Sequence, residues 1–286
     1  MDASFASSTV HIVGLGLMGG SLAMALRGQV GRITAEDIAP GVIADATARG
    51  VIDGPGAAED ADIVVLAVPA HAIIALTPGL ALRPGTLVMD LGSTKTRICQ
   101  ALDALPPGVL AVGGHPMCGL AENGYAHAIP ALYQGARFVL CETRRTTDEA
   151  RVIAEALVRA AGAQPLWMDR VRQDRLTALT SHLPHLLSFA LMRLAMDGAQ
   201  DDSALLELAA GGFDGATRLA RTDAAMIVGM FSTNADQLRQ AAAELRAHLD
   251  RLEAILADAD ALEGELDAIV AARRAYTAGY GERLIT

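Results

Sequence analysis

The sequence predicts an α/β protein in two parts: a doubly wound, mostly parallel sheet, then an all-α domain at the C-terminus. Three observations predict it. From residue 9 to about 170, short apolar runs alternate with helix-like stretches, the pattern of strands joined by crossover helices. Runs such as Ile63-Val64-Val65-Leu66-Ala67-Val68 are apolar throughout, which suits parallel strands covered on both faces. Beyond Asp169 the strand signals stop and the chain reads as helix. The domains are therefore expected at 1–170 and 171–286.

Strands are expected at 9–13, 32–37, 61–68, 86–90, 109–113, 136–141 and 164–169, with helices at 39–49, 70–82, 94–105 and 147–162. The first strand runs into Gly14-Leu15-Gly16-Leu17-Met18-Gly19, and an Ala/Leu-rich helix follows. In a Rossmann-type sheet the first glycine of this pattern permits a tight turn and the second lets backbone approach a pyrophosphate. The third lets helix and strand pack closely, and the positive end of the helix faces the phosphates. The second strand ends in Asp37, 23 positions after Gly14, where a ribose-binding carboxylate belongs. Ile38 follows it in place of an arginine, so nothing awaits a 2′-phosphate and NAD is expected over NADP. The competing interpretation is a glycine-rich turn with a solvated Asp37. Val68-Pro69 closes the third strand and brings backbone beside the cofactor.

Ligands of open α/β sheets gather at the carboxyl ends of the strands. Two more strand ends carry polar groups there, Asp90-Leu91-Gly92-Ser93-Thr94-Lys95 and Gly113-Gly114-His115-Pro116-Met117-Cys118-Gly119. His115 follows two glycines and is held by a proline, so its imidazole is restrained; such a ring can take a hydroxyl proton as hydride leaves the same carbon. Ser93 is placed to orient it. Lys95 is the one lysine beside 22 arginines, which marks it as a chemical choice more than a surface residue. The stretch 115–135 is too long for an ordinary connection, and loops of that length are usually functional.

In the helical part the run 171–197 is expected to end at Gly198, with Pro184 bending it. The bend displays Thr180-Ser181-His182-Leu183-Pro184-His185. Two histidines three apart share a helix face, but no third ligand is near and no metal is expected. After a break at Gly211-Gly212-Phe213 come Asp214 and Arg218; an arginine there suits a carboxylate. Asn234 and Gln237 read as a helix cap. Leu238, Leu245, Leu249, Leu252 and Leu256 form a coiled-coil-like stripe, to be buried against a twin subunit or within one chain.

Bulk properties narrow the partners. The net charge is −10 with no basic run, which argues against nucleic acid and anionic membranes. An anionic substrate then needs a local cationic pocket. Cys99, Cys118 and Cys141 lack paired spacing and read as reduced thiols. No signal-like N-terminus and no 18-residue apolar run is found, so a soluble cytoplasmic protein is expected.

The ordered set GLGLMGGSLA, Asp37, ADIVVLAVP, DLGSTK, GGHPMCG, SHLPH and GGFDGATRLARTD spans about residues 9–260. It resembles the prephenate dehydrogenase family, which includes arogenate and cyclohexadienyl dehydrogenases. The resemblance implies NAD-dependent oxidative decarboxylation of prephenate or arogenate toward tyrosine, by a homodimer joined through its C-terminal helices. It makes His115 the catalytic histidine with Ser93 in support, and Arg218 the ligand of the ring carboxylate. His182 and His185 line the substrate pocket, with Lys95 and Asp214 beside it. Gly14, Leu15, Gly16, Leu17, Met18, Gly19, Asp37, Val68 and Pro69 hold NAD.

Three departures from the family pattern stand near the substrate. The acid often six residues after the histidine is Ala121, with Glu122 next; the basic residue after GGF is Asp214; a tryptophan past the TR motif is Ile227. Asp214 leans the reading toward arogenate, whose alanyl side chain carries an ammonium. The regulatory domain and fused mutase of some relatives are not seen, so tyrosine inhibition is expected at the active site. Two alternatives stand: a 3-hydroxyacid or imine-class dehydrogenase, which usually needs a lysine in the helical domain, and a non-catalytic NAD-sensing dimer.

Overall fold

The computed structural model describes residues 3–120 and 122–281. After helix α1 (Ala3–Ala6), strands and helices alternate: β1 (Thr9–Val13), α2 (Leu17–Leu26), β2 (Arg32–Glu36), α3 (Val42–Ala48), β3 (Gly54–Pro55), β4 (Ile63–Leu66) and α4 (Ala70–Leu76). The second half of the sheet adds β5 (Leu87–Asp90), α5 (Thr96–Asp103), β6 (Leu110–Pro116), β7 (Arg137–Glu142), α6 (Asp148–Ala160) and β8 (Gln164–Trp167). The eight strands lie in the order β3-β2-β1-β4-β5-β6-β7-β8. All neighbours are parallel except β6 and β7.

The chain order reverses between β1 and β4, so the crevice for a ligand opens outside the carboxyl ends of these two strands. Alternate residues of each strand feed opposite cores. Val10 and Ile12 pack with α2 and α6 residues such as Leu22 and Leu157; Val13, Val64 and Leu66 pack with Ile73 and Ile98 of α4 and α5. Two buried faces explain why the strands read as continuous apolar runs.

Beyond β8 the chain is helical: α7 (Arg170–Thr177), α8 (Leu183–Asp201), α9 (Ala204–Glu207), α10 (Gly211–Thr217), a one-turn helix at Arg218–Arg221, α11 (Ala224–Thr233), α12 (Ala235–Ala254) and α13 (Ala259–Tyr280). Asp169 starts α7 by accepting from the N–H groups of Val171 and Arg172. Between α7 and α8 the residues Ala178–His182 form one wide π-type turn. That turn admits Pro184 in the first turn of α8, where a missing N–H is tolerated.

Two local expectations are corrected. Gly198 does not end α8, which continues to Asp201, and Gly211-Gly212 open α10 instead of breaking the chain. By contacts the chain divides into Met1–Ala235 and Asp236–Thr286. The leucine stripe lies on α12 only as far as Leu252, because the helix ends at Ala254 and Leu256 falls in the connection to α13. Among the described residues no helix is long and apolar enough to cross a membrane.

Candidate active site

The turn between β1 and α2 is built from backbone. Gly14 has φ +94°, and a side chain there would press on Val68 Cγ1 at 2.7 Å and on the Ala67 carbonyl at 2.9 Å. A side chain on Gly19 would strike the Gly14 carbonyl oxygen, so helix and turn touch only because both positions are glycine. Gly16 has nothing within 4 Å of a would-be Cβ, and it begins α2 with no side-chain cap. The first N–H groups of a helix have no partner inside it, so here they face open space beside a glycine.

Asp37, just past β2, closes the turn: Oδ2 accepts from the Leu15 N–H at 2.6 Å and Oδ1 from the Ala39 N–H at 2.7 Å. Leu15 thus serves the site through Asp37, its own N–H being occupied. The side chains of Leu15 and Leu17 are in the core, while the Met18 carbonyl accepts from the Tyr133 hydroxyl at 2.9 Å. A groove beside Asp37 is lined by Ile38, Pro40, Ile43 and Pro55 among others, with no arginine or lysine in its wall. Val68 abuts Gly14, and the exposed Pro69 precedes α4. A dinucleotide fits this cradle: uncapped helix N–H groups for phosphate, no wall at Gly16, and a carboxylate at ribose position.

His115 stands near the end of β6, and the reason for Gly113-Gly114 lies behind it. A side chain on Gly113 would come 2.5 Å from Cys99 Sγ, and one on Gly114 would meet the Asp90 carbonyl and, at 3.0 Å, the Phe138 ring. Lys95 fills the space under these glycines. Its ammonium is fully buried, paired with the Asp90 carboxylate and donating to the Gly114 carbonyl at 2.6 Å. Asp90 in turn accepts from the N–H groups of Gly92 at 2.8 Å and Gly114 at 3.0 Å. The expectation that Lys95 meets substrate is therefore corrected: it braces β5 against β6 beneath His115. Burial first, then the charge of Lys95 and the neighbouring His182, push the His115 imidazole down to about 3, so the ring is neutral at physiological pH.

Ser93 was expected to orient His115 through its hydroxyl. The group on the ring is instead Gln173 of α7, whose Nε2 lies 2.6 Å from His115 Nδ1. Ser93 contributes its carbonyl, which accepts from the same amide at 3.3 Å. Gln173 is nearly fully buried, and its Oε1 has no partner. The adjacent Asp174 caps α5 from outside, accepting from the N–H groups of Lys95 at 2.6 Å and Thr96 at 2.8 Å. A carboxylate is well placed at a helix N-terminus. Thr94 and Thr233 share a hydrogen bond at 2.8 Å across the same junction.

The wide turn brings in His182. Asn234 Nδ2 donates to the Asp174 carbonyl at 2.8 Å and to His182 Nδ1 at 3.1 Å. With Nδ1 accepting, the neutral ring of His182 carries its proton on Nε2, which is buried and without a partner. Burial first, then His185, hold this imidazole down to about 4. His185 donates from Nδ1 to the Ser181 carbonyl at 2.9 Å and stays partly exposed. Arg218 begins the one-turn helix, which is tied to α8 by the Ala220 N–H donating to Ser188 Oγ at 3.1 Å. Among the described residues the Arg218 guanidinium has no ion pair, and Asp214, exposed one turn earlier, has none either. Ala121 lies outside the described residues.

Sequence reasoning missed Gln173 and Asp174, and read Asn234 only as a helix cap although its amide serves His182. A signal was present in α7, whose sequence RVRQDRLT is almost wholly polar yet follows a well-capped start. A polar helix that buries Gln173, Asp174 and Thr177 must give those groups partners elsewhere.

The chain is similar to known proteins over nearly its whole length. Residues 22–165 match the family model described as prephenate dehydrogenase, nucleotide-binding domain, and 171–270 match prephenate dehydrogenase, dimerization domain. A prephenate dehydrogenase of Lactococcus lactis is 31% identical over 260 residues, covering 85% of this chain and 70% of that protein. The crystal structure of prephenate dehydrogenase from Aquifex aeolicus, in complex with hydroxyphenyl propionate and NAD+, superposes with a TM-score of 0.88 at 28% identity, covering 95% of this chain and 99% of that one. Synechocystis arogenate dehydrogenase gives a TM-score of 0.78 at 27% identity, covering 94% and 99%.

Proposed function

Because the chain belongs to the prephenate dehydrogenase family, we propose that it oxidises and decarboxylates prephenate or arogenate on the route to tyrosine. NAD, when bound, accepts the hydride that leaves C4 of the substrate ring. Gly14, Gly16, Gly19 and the first turn of α2 hold its pyrophosphate, and Asp37 holds its adenosine ribose. The remaining chemistry belongs to side chains. His115 takes the C4 hydroxyl proton, Arg218 grips the ring carboxylate, and the Nε2–H of His182 donates to the substrate. Once C4 is a carbonyl, the dienone expels CO2 from C1 and becomes aromatic, which makes the step irreversible.

The observation that carries this reading is the place of the His115 imidazole, at the carboxyl end of β6 with Gln173 on its Nδ1. An unprotonated ring at pH 7 is what a base for a hydroxyl proton requires. Adding NAD with prephenate or arogenate and following NADH absorbance tests it. His115→Ala should lower turnover by about 10²–10⁴ with NAD affinity intact; full activity without the imidazole removes it from the mechanism.

Asp214, unpaired and near Arg218, supports a preference for arogenate, whose ammonium it would meet. Asp214→Lys, assayed on both substrates, should favour prephenate. Exposed apolar side chains on α8 (Leu187, Leu191, Leu194) and on α13 (Leu266, Ile269, Tyr276) support a homodimer through the C-terminal helices, measurable by light scattering. The free thiols of Cys99, Cys118 and Cys141 are consistent with a reducing, cytoplasmic setting.

A further inference from the structure

His115 can accept a proton on Nε2 only if that nitrogen has a free lone pair. A neutral imidazole then carries its proton on Nδ1, and Nδ1 needs an acceptor. After the transfer the imidazolium carries N–H on both nitrogens, and the need is stronger. Among the described residues the one side chain within hydrogen-bond distance of Nδ1 is Gln173. With the amide nitrogen toward Nδ1, as placed, Gln173 donates to both His115 and the Ser93 carbonyl, and its oxygen is left buried and unpartnered. That arrangement leaves the proton on Nε2 and makes His115 a donor.

We propose that Gln173 is a positioning residue that sets the tautomer of His115. Catalysis uses the amide turned by half a revolution, Oε1 accepting from Nδ1–H and the NH2 group taking the buried place now held by the oxygen. The exchange has no net proton cost: one proton leaves Nε2 to solvent and one arrives on Nδ1. The turn gives up the bond to the Ser93 carbonyl and leaves Oε1 beside it, a loss that the Nδ1–H···Oε1 bond offsets most once His115 is an imidazolium. The inference rests on the role given to His115 above. The other charged or titratable groups nearby are already engaged. Lys95 and Asp90 neutralise one another, Asp174 caps α5, and His182 is held neutral.

Two experiments test it. Nitrogen-15 NMR of histidine-labelled protein with NAD, with and without 4-hydroxyphenylpyruvate, reads the tautomer directly, His115→Gln identifying the signal. Protonated Nδ1 in the ligand-bound sample supports the proposal. Protonated Nε2 in both samples overturns it, whatever the enzyme's activity, so this failure is separate from that of the substrate assignment. In the second, Gln173→Glu offers oxygen in both positions and stabilises the imidazolium, so the acid limb of kcat/KM should rise by about one pH unit or more. Gln173→Met, with no hydrogen bond to give, should lower kcat by about tenfold or more while NAD affinity stays. A Gln173→Glu profile superimposable on the parent, with parental kcat in Gln173→Met, reduces Gln173 to packing.

Discussion

At the β1–α2 turn the groups that face a ligand are backbone N–H groups, set by three glycines within six residues and by a carboxylate 22 residues from its partner. On the substrate side they are side chains drawn from β6, α7, the wide turn and the helix at Arg218–Arg221. In the first region Asp37 uses both oxygens on backbone N–H groups, and what is left open is the uncapped first turn of α2 beside Gly16. Among the described residues the second keeps two buried polar atoms without partners, Gln173 Oε1 and His182 Nε2, and a part-exposed guanidinium without an ion pair at Arg218. Backbone gives a cofactor site that is rigid without help. Side-chain groups held unpaired store cost that a substrate with matching polar atoms relieves.

The strongest way to break the comparison is Lys95→Met. It leaves Asp90 charged and fully buried without its partner, which should cost about 3–5 kcal/mol, read as a fall in the urea midpoint. The double variant Lys95→Met with Asp90→Leu should recover most of it; no recovery means the pair is not the source.

Asp174→Ala separates the two regions more finely. It removes two carboxylate bonds from the start of α5, at about 1–2 kcal/mol. Those two bonds tie α7, which carries Gln173, to the start of α5, so the substrate KM should rise while the NAD dissociation constant stays put; the Asn234 bond, made to the Asp174 backbone carbonyl, survives the change. Equal loss on both sides would show that the regions are not independent.

Acid tests the substrate side as a whole. His115 and His182 are held down to about 3 and about 4, against about 6.5 when unfolded. The unfolded chain binds more protons between these limits. Stability is therefore whole above about pH 6.5 and is lost as pH falls toward 4 and then 3. Urea midpoints at pH 7.5 and 4.5 should differ in that sense. A midpoint flat across the range would mean that the rings are not held neutral by burial.

Much of this was legible from the residues. The strand at Thr9–Val13 falls where the apolar run predicts it, and Gly14 and Gly19 make the tight turn and the close helix contact that their spacing implies, because those contacts join neighbours in the chain. Lys95 was singled out correctly as unusual, but its direction was not readable: nothing local says that an ammonium five residues past Asp90 turns inward to meet it. Ser93 lies 22 residues before His115 at a neighbouring strand end, whereas the side chain on the ring comes from α7, 58 residues further along the chain.

Periodicity and glycine spacing act over a few residues, so the sheet, the turn after β1 and the imidazole at a strand end are readable from local pattern. The partner of that imidazole, the concealment of Lys95 and the unpaired nitrogen of His182 come from long-range packing. They join residues 58 apart at His115 and Gln173 and 52 apart at His182 and Asn234. At such separations packing selects which polar groups meet, and no local pattern records the choice.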